Sequence, residues 1–252
     1  MKPNVLIVGY GVVGHNLKEE IKNLNPDIYD KYKTEDNTKR DIHYDIAFIC
    51  VDTPLVNDYD LDIREVEGAL EETDSEIYVI KSTCPIGTID RLSRETDKRV
   101  VFSPEYYGGT QHCNNFDFNF TILGGHKGDC QEVVRALQYC YDGRHTFRIT
   151  DGKTAELVKF MENSFLATKV SFCIQFYRLC EKYGLSYEEL RELFILDKRM
   201  GDSHTFVYKE RPYWDSHCLN KDVSHIAFKE DAELLKDICK FNDKQKILKE
   251  EE

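Results

Sequence analysis

The 252-residue sequence has no run of about 18 apolar residues, so no segment reads as a membrane-spanning helix. It also lacks a basic excess. Its 34 Lys and Arg stand against 46 Asp and Glu, a formal net charge of −12, which argues against nucleic acid as a partner because phosphate backbones need a concentrated basic surface. A phosphorylated small molecule stays possible, since a few local donors suffice. There is no CxxC pair, and the nine cysteines are odd in number and irregular in spacing. Neither a zinc knuckle nor a disulfide framework is expected, and reduced thiols in the cytoplasm are the natural reading. His204 and His217 have no second ligand at metal spacing, so no metal is expected. The apolar N-terminal run "MKPNVLIVGYG" meets a glycine turn rather than a small-residue cleavage site, which speaks against a signal peptide. Internal repeats and low-complexity linkers are absent too, and the polar end "NDKQKILKEEE" is expected to fray.

What is present is alternation. Short β-rich runs ("NVLIVGY", "IYDKY", "YDIAFICV", "EIYVIKST", "RVVFSP", "FTILGG", "TFRIT") take turns with amphipathic segments such as "VVGHNLKEEIKNL", "IREVEGALEET", "GTIDRLSRE" and "GDCQEVVRALQYCY". That order predicts an α/β fold with a Rossmann-type, doubly wound, mostly parallel sheet over about 1–150. From Lys153 to about Tyr183 there is neither Pro nor Gly, so the sequence predicts one helix of roughly 30 residues, ~45 Å long. Its apolar residues (Leu157, Val158, Met161, Phe165, Val170, Phe172, Phe176, Leu179) occupy more than one face. Such a helix needs partners on several sides, and a second copy of the chain would make a homodimer through it. Gly184 ends it, and Ser186 with Glu189 reads as a capping box opening the next helix. A helical domain at about 151–252 follows, built on that long central helix.

"GYGVVG" (Gly9, Gly11, Gly14) sits between a strand and a helix, the context a dinucleotide fingerprint requires. Gly9 permits the tight turn, Gly11 lets the backbone approach a pyrophosphate, and Gly14 lets helix and strand pack closely. Val12 and Val13 lie in the same turn, where the helix start offers N–H groups to an anion. Asp30 stands at the end of the second strand, where an acid would hold ribose hydroxyls and favour NAD over NADP; Lys31 and Lys33 weaken that preference. The fingerprint by itself leaves open a Rossmann domain for another nucleotide.

Further motifs fall in one order. "FICVDTP" closes the third strand, with Val51 and Thr53 counted to the cofactor site. "KSTCPIGT" contains Thr83, "SPEYYGGT" contains Glu105, "AELVKFMENSFLATKVSF" contains Lys159 and Asn163, and "SHCLNKDV" contains Cys218, Lys221 and Asp222. Together, from residue 1 to about 230, they resemble the UDP-glucose/GDP-mannose dehydrogenase family. The resemblance implies NAD as cofactor, UDP-glucose or another nucleotide sugar as substrate, and a four-electron oxidation of a C6 alcohol to the uronic acid. It casts Cys218 as the nucleophile that traps the aldehyde and Asp222, with Lys221, as its water- and proton-handling partner. Lys159 and Asn163 would stabilise the alkoxide, Thr83 would position the sugar or a water in both cofactor and catalytic roles, and Glu105 would serve thioester hydrolysis. Glu105, Lys159 and Asn163 are also counted as substrate contacts, joined by Trp214 and by Lys209 and Arg211 for a diphosphate.

The sequence departs from the family in three places. The glycine-rich loop before the cysteine is Tyr213-Trp214-Asp215-Ser216, the "EYYGGT" stretch is a residue short and lacks the second acid, and the chain ends after the helical domain. Two other classes therefore stand beside the four-electron enzyme: a two-electron hydroxyacid dehydrogenase, which shares a KxxxN pair, and a non-catalytic NAD-binding homologue. Residue by residue, Cys218 also reads as a buried thiol, which its match to the loop disfavours, Lys159 and Asn163 as a solvated helix face, which their apolar neighbours disfavour, Lys221 as surface charge, and Glu105 equally as a loop cap.

Overall fold

A computed structural model of the protein describes residues 2–107 and 118–251. The last residues of "SPEYYGGT", Gly108 to Thr110, and Cys113 lie outside the described residues. The chain forms two compact units, residues 1–56 with 61–159, and residues 57–60 with 160–252.

In the first unit seven strands make one sheet: β1 (Val5–Val8), β2 (Asp27–Tyr29), β3 (Tyr44–Ile49), β4 (Ser75–Ile80), β5 (Arg99–Phe102), β6 (Phe120–Gly125) and β7 (Thr146–Thr150). Their order is β2-β1-β3-β4-β5-β6-β7, and every pairing is parallel except β5 with β6, where Phe102 opposes Gly124. The helices α1 (Val12–Glu20), α2 (Arg64–Glu72), α3 (Thr88–Thr96) and α4 (Lys127–Leu137) cover both faces. Strand periodicity divides the core between them. Val5, Ile7 and Phe48 pack with Leu17 and Ile21 of α1 and Val133 and Leu137 of α4, whereas Leu6, Val8 and Ile49 pack with Val66 and Leu70 of α2 and Ile89 and Leu92 of α3. Because both faces are covered, the strands read as continuous apolar runs rather than alternating ones. The sheet grows one way from β1 to β2 and the other way to β3. The carboxyl ends of β1 and β3 therefore flank the switch point where open α/β sheets bind ligands.

The second unit is helical, with α6 (Tyr187–Phe194), α7 (His217–Lys229) and α8 (Glu233–Glu250) beside most of α5 (Gly152–Tyr183). Gly184, at φ +66°, ends α5 in a left-handed turn, and Leu185 N–H reaches back to Cys180 O at 2.9 Å. Ser186 Oγ accepts from Glu189 N–H at 3.2 Å, the serine half of the expected capping box, and donates to Glu188. A core of Ala167, Trp214, Leu219, Val223, Ala227 and Cys239 joins α5, the preceding loop, α7 and α8. Residues 57–60, although they follow β3 in sequence, join this unit. Tyr59 O accepts from His225 Nδ1 at 2.7 Å, the Tyr59 ring stacks on Phe228 at 4.2 Å, and Asp60 pairs with Lys229 at 2.8 Å.

Candidate active site

The glycine turn forms by necessity of space. Gly9 has φ +88°, and a Cβ there would lie 2.7 Å from Cys50 O. A Cβ on Gly14 would lie 2.1 Å from Gly9 O, closer than a side chain can come. Gly11 is different: nothing stands within 4 Å of where its Cβ would be. No side chain caps α1, so the first-turn N–H groups near Val12 and Val13 remain for an anion. Open backbone beside an uncapped helix start fits a dinucleotide pyrophosphate.

Asp30 is 8% exposed, and its carboxylate already accepts three amides: Tyr10 N at 2.7 Å, Tyr32 N at 2.8 Å and Lys33 N at 3.0 Å. Burial pushes its pKa up, but those bonds and the Lys33 charge outweigh it and hold the carboxyl below its ordinary value. With about four acceptor positions on a carboxylate, one is left for a ribose hydroxyl. The two lysines that cloud the NAD preference in sequence have local partners. Lys31 pairs with Glu65 at 2.5 Å, and Lys33 Nζ donates to Tyr10 O at 2.8 Å. After β3, Ser82 Oγ donates to Val51 O at 2.6 Å and Thr53 Oγ1 to Thr83 O at 2.8 Å, so Val51, Thr53 and Thr83 are laced together at the strand ends.

Beyond β5, Glu105 Oε1 accepts from Tyr106 N at 2.7 Å and Tyr107 N at 3.3 Å, and its backbone oxygen accepts from Lys159 Nζ. The first unit thus brings Lys159 to Glu105, two candidates 54 positions apart in sequence. In the second unit, Ser216 Oγ accepts from Leu219 N at 3.1 Å and caps α7. Cys218 is exposed in the first turn of that helix, at the positive end of its dipole. One turn on, Asp222 is 1% exposed. Its Oδ2 accepts from Asn163 Nδ2 at 2.6 Å and its Oδ1 from Lys221 Nζ at 2.7 Å. A carboxylate this deep needs such partners, because an unpaired buried charge is costly.

Trp214 is 7% exposed and faces the core. Its indole Nε1 donates to Ser171 Oγ at 3.0 Å, and Asn242 grips its backbone on both sides: Oδ1 accepts from Trp214 N at 2.8 Å and Nδ2 donates to Trp214 O at 2.9 Å. The non-glycine loop is thereby pinned to α5 and α8. Lys209 and Arg211 lie exposed on a turn closed by Arg211 N–H to Tyr208 O at 3.0 Å.

Sequence reasoning passed over two buried charges. Lys81, the first residue of "KSTCPIGT", lies with Nζ 3.2 Å from Glu105 Oε2; a lysine ending the apolar strand "IYVIK" was the available signal. Glu156 of α5 is fully buried and accepts from Gly87 N at 2.5 Å and Ile89 N at 2.9 Å, receiving the start of α3. Burial pushes its carboxyl up, the two amides pull it back, and it settles at about 7.

The doubly wound sheet with an open glycine cradle at its switch point defines a Rossmann-type dinucleotide-binding domain. Residues 10–141 match the NAD binding domain, and residues 153–244 the central domain, of the UDP-glucose/GDP-mannose dehydrogenase family. The chain belongs to that family, and NAD is its cofactor. UDP-glucose 6-dehydrogenase YwqF of Bacillus subtilis is 28% identical over 81% of this chain and 50% of its own length. The structure of a UDP-glucose dehydrogenase from the archaeon Pyrobaculum islandicum matches 96% of the chain and 68% of that protein with a TM-score of 0.79 at 21% identity. The fold also matches 3-hydroxyisobutyrate dehydrogenase of Mycobacterium tuberculosis, covering 98% of this chain and 94% of that one with a TM-score of 0.66 at 13% identity. The chain spans about half the length of the UDP-glucose 6-dehydrogenases it matches. Among the described residues no helix is long and apolar enough to cross a membrane.

Proposed function

We propose that the chain is a cytoplasmic, NAD-dependent nucleotide-sugar 6-dehydrogenase that converts UDP-glucose to UDP-glucuronate. The observation that carries the reading is the buried Asp222 carboxylate, bracketed by Asn163 and Lys221 one turn from the exposed Cys218 thiol. A packing cysteine would be buried and would need no charged group behind it. The cytoplasmic location rests on nine cysteines without disulfide spacing.

One C6 alcohol, one water and two NAD become one carboxylate, two NADH and three protons. NAD, when bound, supplies the hydride acceptor for both oxidations, held by the Gly9–Gly14 turn, Asp30, Val51, Thr53 and Thr83. Thr83 also orients the C6 hydroxyl, and Lys159 with Asn163 stabilises its oxygen as the proton leaves. The Cys218 sulfur bonds to the aldehyde carbon while the thiol proton passes, by way of Asp222 and Lys221, to the aldehyde oxygen, giving a thiohemiacetal; loss of its carbon-bound hydride and its hydroxyl proton in the second oxidation leaves a thioester. Glu105 removes a proton from water, whose oxygen adds to the thioester carbon and releases the Cys218 thiolate. Lys209 and Arg211 are the cations offered to the diphosphate.

In the same reading the chain is a homodimer through α5. Met161, Phe165, Phe172, Phe176 and Leu179 are exposed, Met161 at 74% and Phe165 at 65%. At about 100° per residue all five fall within an arc of roughly 60°, a single apolar stripe.

The test mixes purified protein, NAD and a panel of nucleotide sugars and counts NADH per sugar consumed. Two per sugar supports the reading, one supports a two-electron dehydrogenase, and none supports a non-catalytic homologue. Cys218→Ser is expected to halt the second oxidation; an unchanged rate and product would sink the nucleophile assignment.

A further inference from the structure

Glu105 is held unevenly. Its Oε1 is fixed by the Tyr106 and Tyr107 amides, at 2.7 and 3.3 Å, whereas its Oε2 is buried and makes no hydrogen bond among the described residues. That oxygen lies 3.2 Å from Lys81 Nζ, an ion-pair distance without hydrogen-bond alignment, and the two side chains are 10% and 9% exposed. Lys81 is anchored at the end of β4, with its N–H on Ile49 O at 2.9 Å. Both side chains border a cavity with about 20 Å³ open to water, lined also by Glu20, Tyr106, Tyr107 and Thr121. This is room for one water molecule with several polar neighbours.

We propose that Lys81 is a positioning residue for the hydrolytic base: its ammonium keeps Glu105 ionised and leaves Oε2 facing one water in this cavity. The inference rests on the reading of Glu105 as that base. A base needs both a negative charge and an accessible lone pair. A cation 3.2 Å from Oε2 places a positive charge beside it. An aligned hydrogen bond would also occupy Oε2; the off-axis ammonium supplies the field and leaves the lone pair to water. Burial is the largest influence on Lys81 and acts to lower its pKa, but the Glu105 and Glu20 charges prevail and hold it above its ordinary value, so it stays cationic.

The other groups facing Glu105 do not substitute for Lys81. Lys159 from α5 donates to the backbone oxygen, Glu20 from α1 carries the wrong sign, and Tyr107 gives its hydroxyl to Glu20 at 2.7 Å. Cys50, beyond β3, is a buried thiol whose pKa burial pushes up, so it brings no positive charge.

The primary measurement needs no cofactor. In 13C-Glu-labelled chain, with the Glu105 carboxyl signal assigned by Glu105→Gln, the titration of that signal is followed by NMR in wild type, Lys81→Met and Lys81→Arg. Lys81→Met is expected to raise the proton affinity of Glu105 at least tenfold, the scale of losing one opposite charge at this range, and Lys81→Arg to keep it near wild type. In turnover with NAD and UDP-glucose, Lys81→Met is expected to slow steady-state NADH release at least tenfold more than the first-turnover burst. Its acid limb should move to higher pH by the NMR shift. An unchanged Glu105 titration in Lys81→Met, or equal losses in burst and steady state, overturns the inference. If Lys81→Met does not fold, Lys81→Met/Glu105→Gln decides: recovery of folding supports charge coupling, and failure of both assigns Lys81 to packing and overturns it. Wild type yielding no NADH from any nucleotide sugar defeats the enzymatic reading instead, and that result comes from a different sample.

Discussion

Replacing Glu156 by Gln removes a titration that makes the first unit less stable at neutral pH. Glu156 Oε1 and Oε2 accept from Ile89 and Gly87 N–H, and burial carries the carboxyl from an ordinary 4.5 to about 7. A raised folded-state value means the folded chain holds a proton that the unfolded chain has released, so this contribution is complete below about 4.5 and is lost as pH rises through 7. At ~1.4 kcal/mol per unit, the shift amounts to about 2–3 kcal/mol between pH 5 and pH 8. For a chain of this size that corresponds to roughly 5–10 °C in the melting temperature. The Gln variant loses this slope, and its amide can accept from only one of the two N–H groups, a pH-independent cost of ~1–3 kcal/mol. Scanning calorimetry of both proteins from pH 5 to pH 8, followed on the transition of the first unit, gives the difference directly. The histidines with shifted pKa values, such as His43 and His145, contribute equally to both proteins and cancel. The variant's deficit should shrink by about 2–3 kcal/mol toward pH 8. Parallel curves would refute the placement of a titrating carboxylate at the start of α3.

Gly14→Ala forces a Cβ to 2.1 Å from Gly9 O, so the turn must open; NAD affinity measured by calorimetry is expected to fall at least tenfold, about 1.4 kcal/mol. Trp214 is the sole tryptophan and is 7% exposed, so its emission should be blue-shifted and poorly quenched by acrylamide. Asn242→Ala removes both bonds to the Trp214 backbone; a loss of ~2–4 kcal/mol in denaturant melts and a red-shifted emission are expected, and unchanged emission counts against the anchor. Phe165→Asp, in the middle of the exposed α5 stripe, is expected to yield monomers in sedimentation where wild type is dimeric.

The Rossmann layout was legible because it is written locally. Apolar runs set the strands, the absence of Pro and Gly from 153 to 183 set α5, and the spacing of Gly9, Gly11 and Gly14 set the turn. Lys159, Asn163, Cys218 and Asp222 stand out in the sequence because they sit at motif positions. Their partners were not legible. Asp30 is bound by the Tyr10 amide 20 positions away, Trp214 by Asn242 across 28, and Glu105 by Lys159 across 54. No periodicity announces such pairs, and a tryptophan in a loop looks the same whether it faces substrate or core.

By itself the sequence determined the element order, the glycine cradle and the residues with chemistry to offer, since these follow from steric limits and hydrophobic period over a few neighbouring positions. Tertiary structure alone decided which charges are buried and against what. It paired Lys81 with Glu105, closed Asn163 and Lys221 on Asp222, turned Trp214 inward and carried residues 57–60 into the second unit. A buried polar group must find a partner wherever the fold supplies one, and that partner is set by packing rather than by sequence distance.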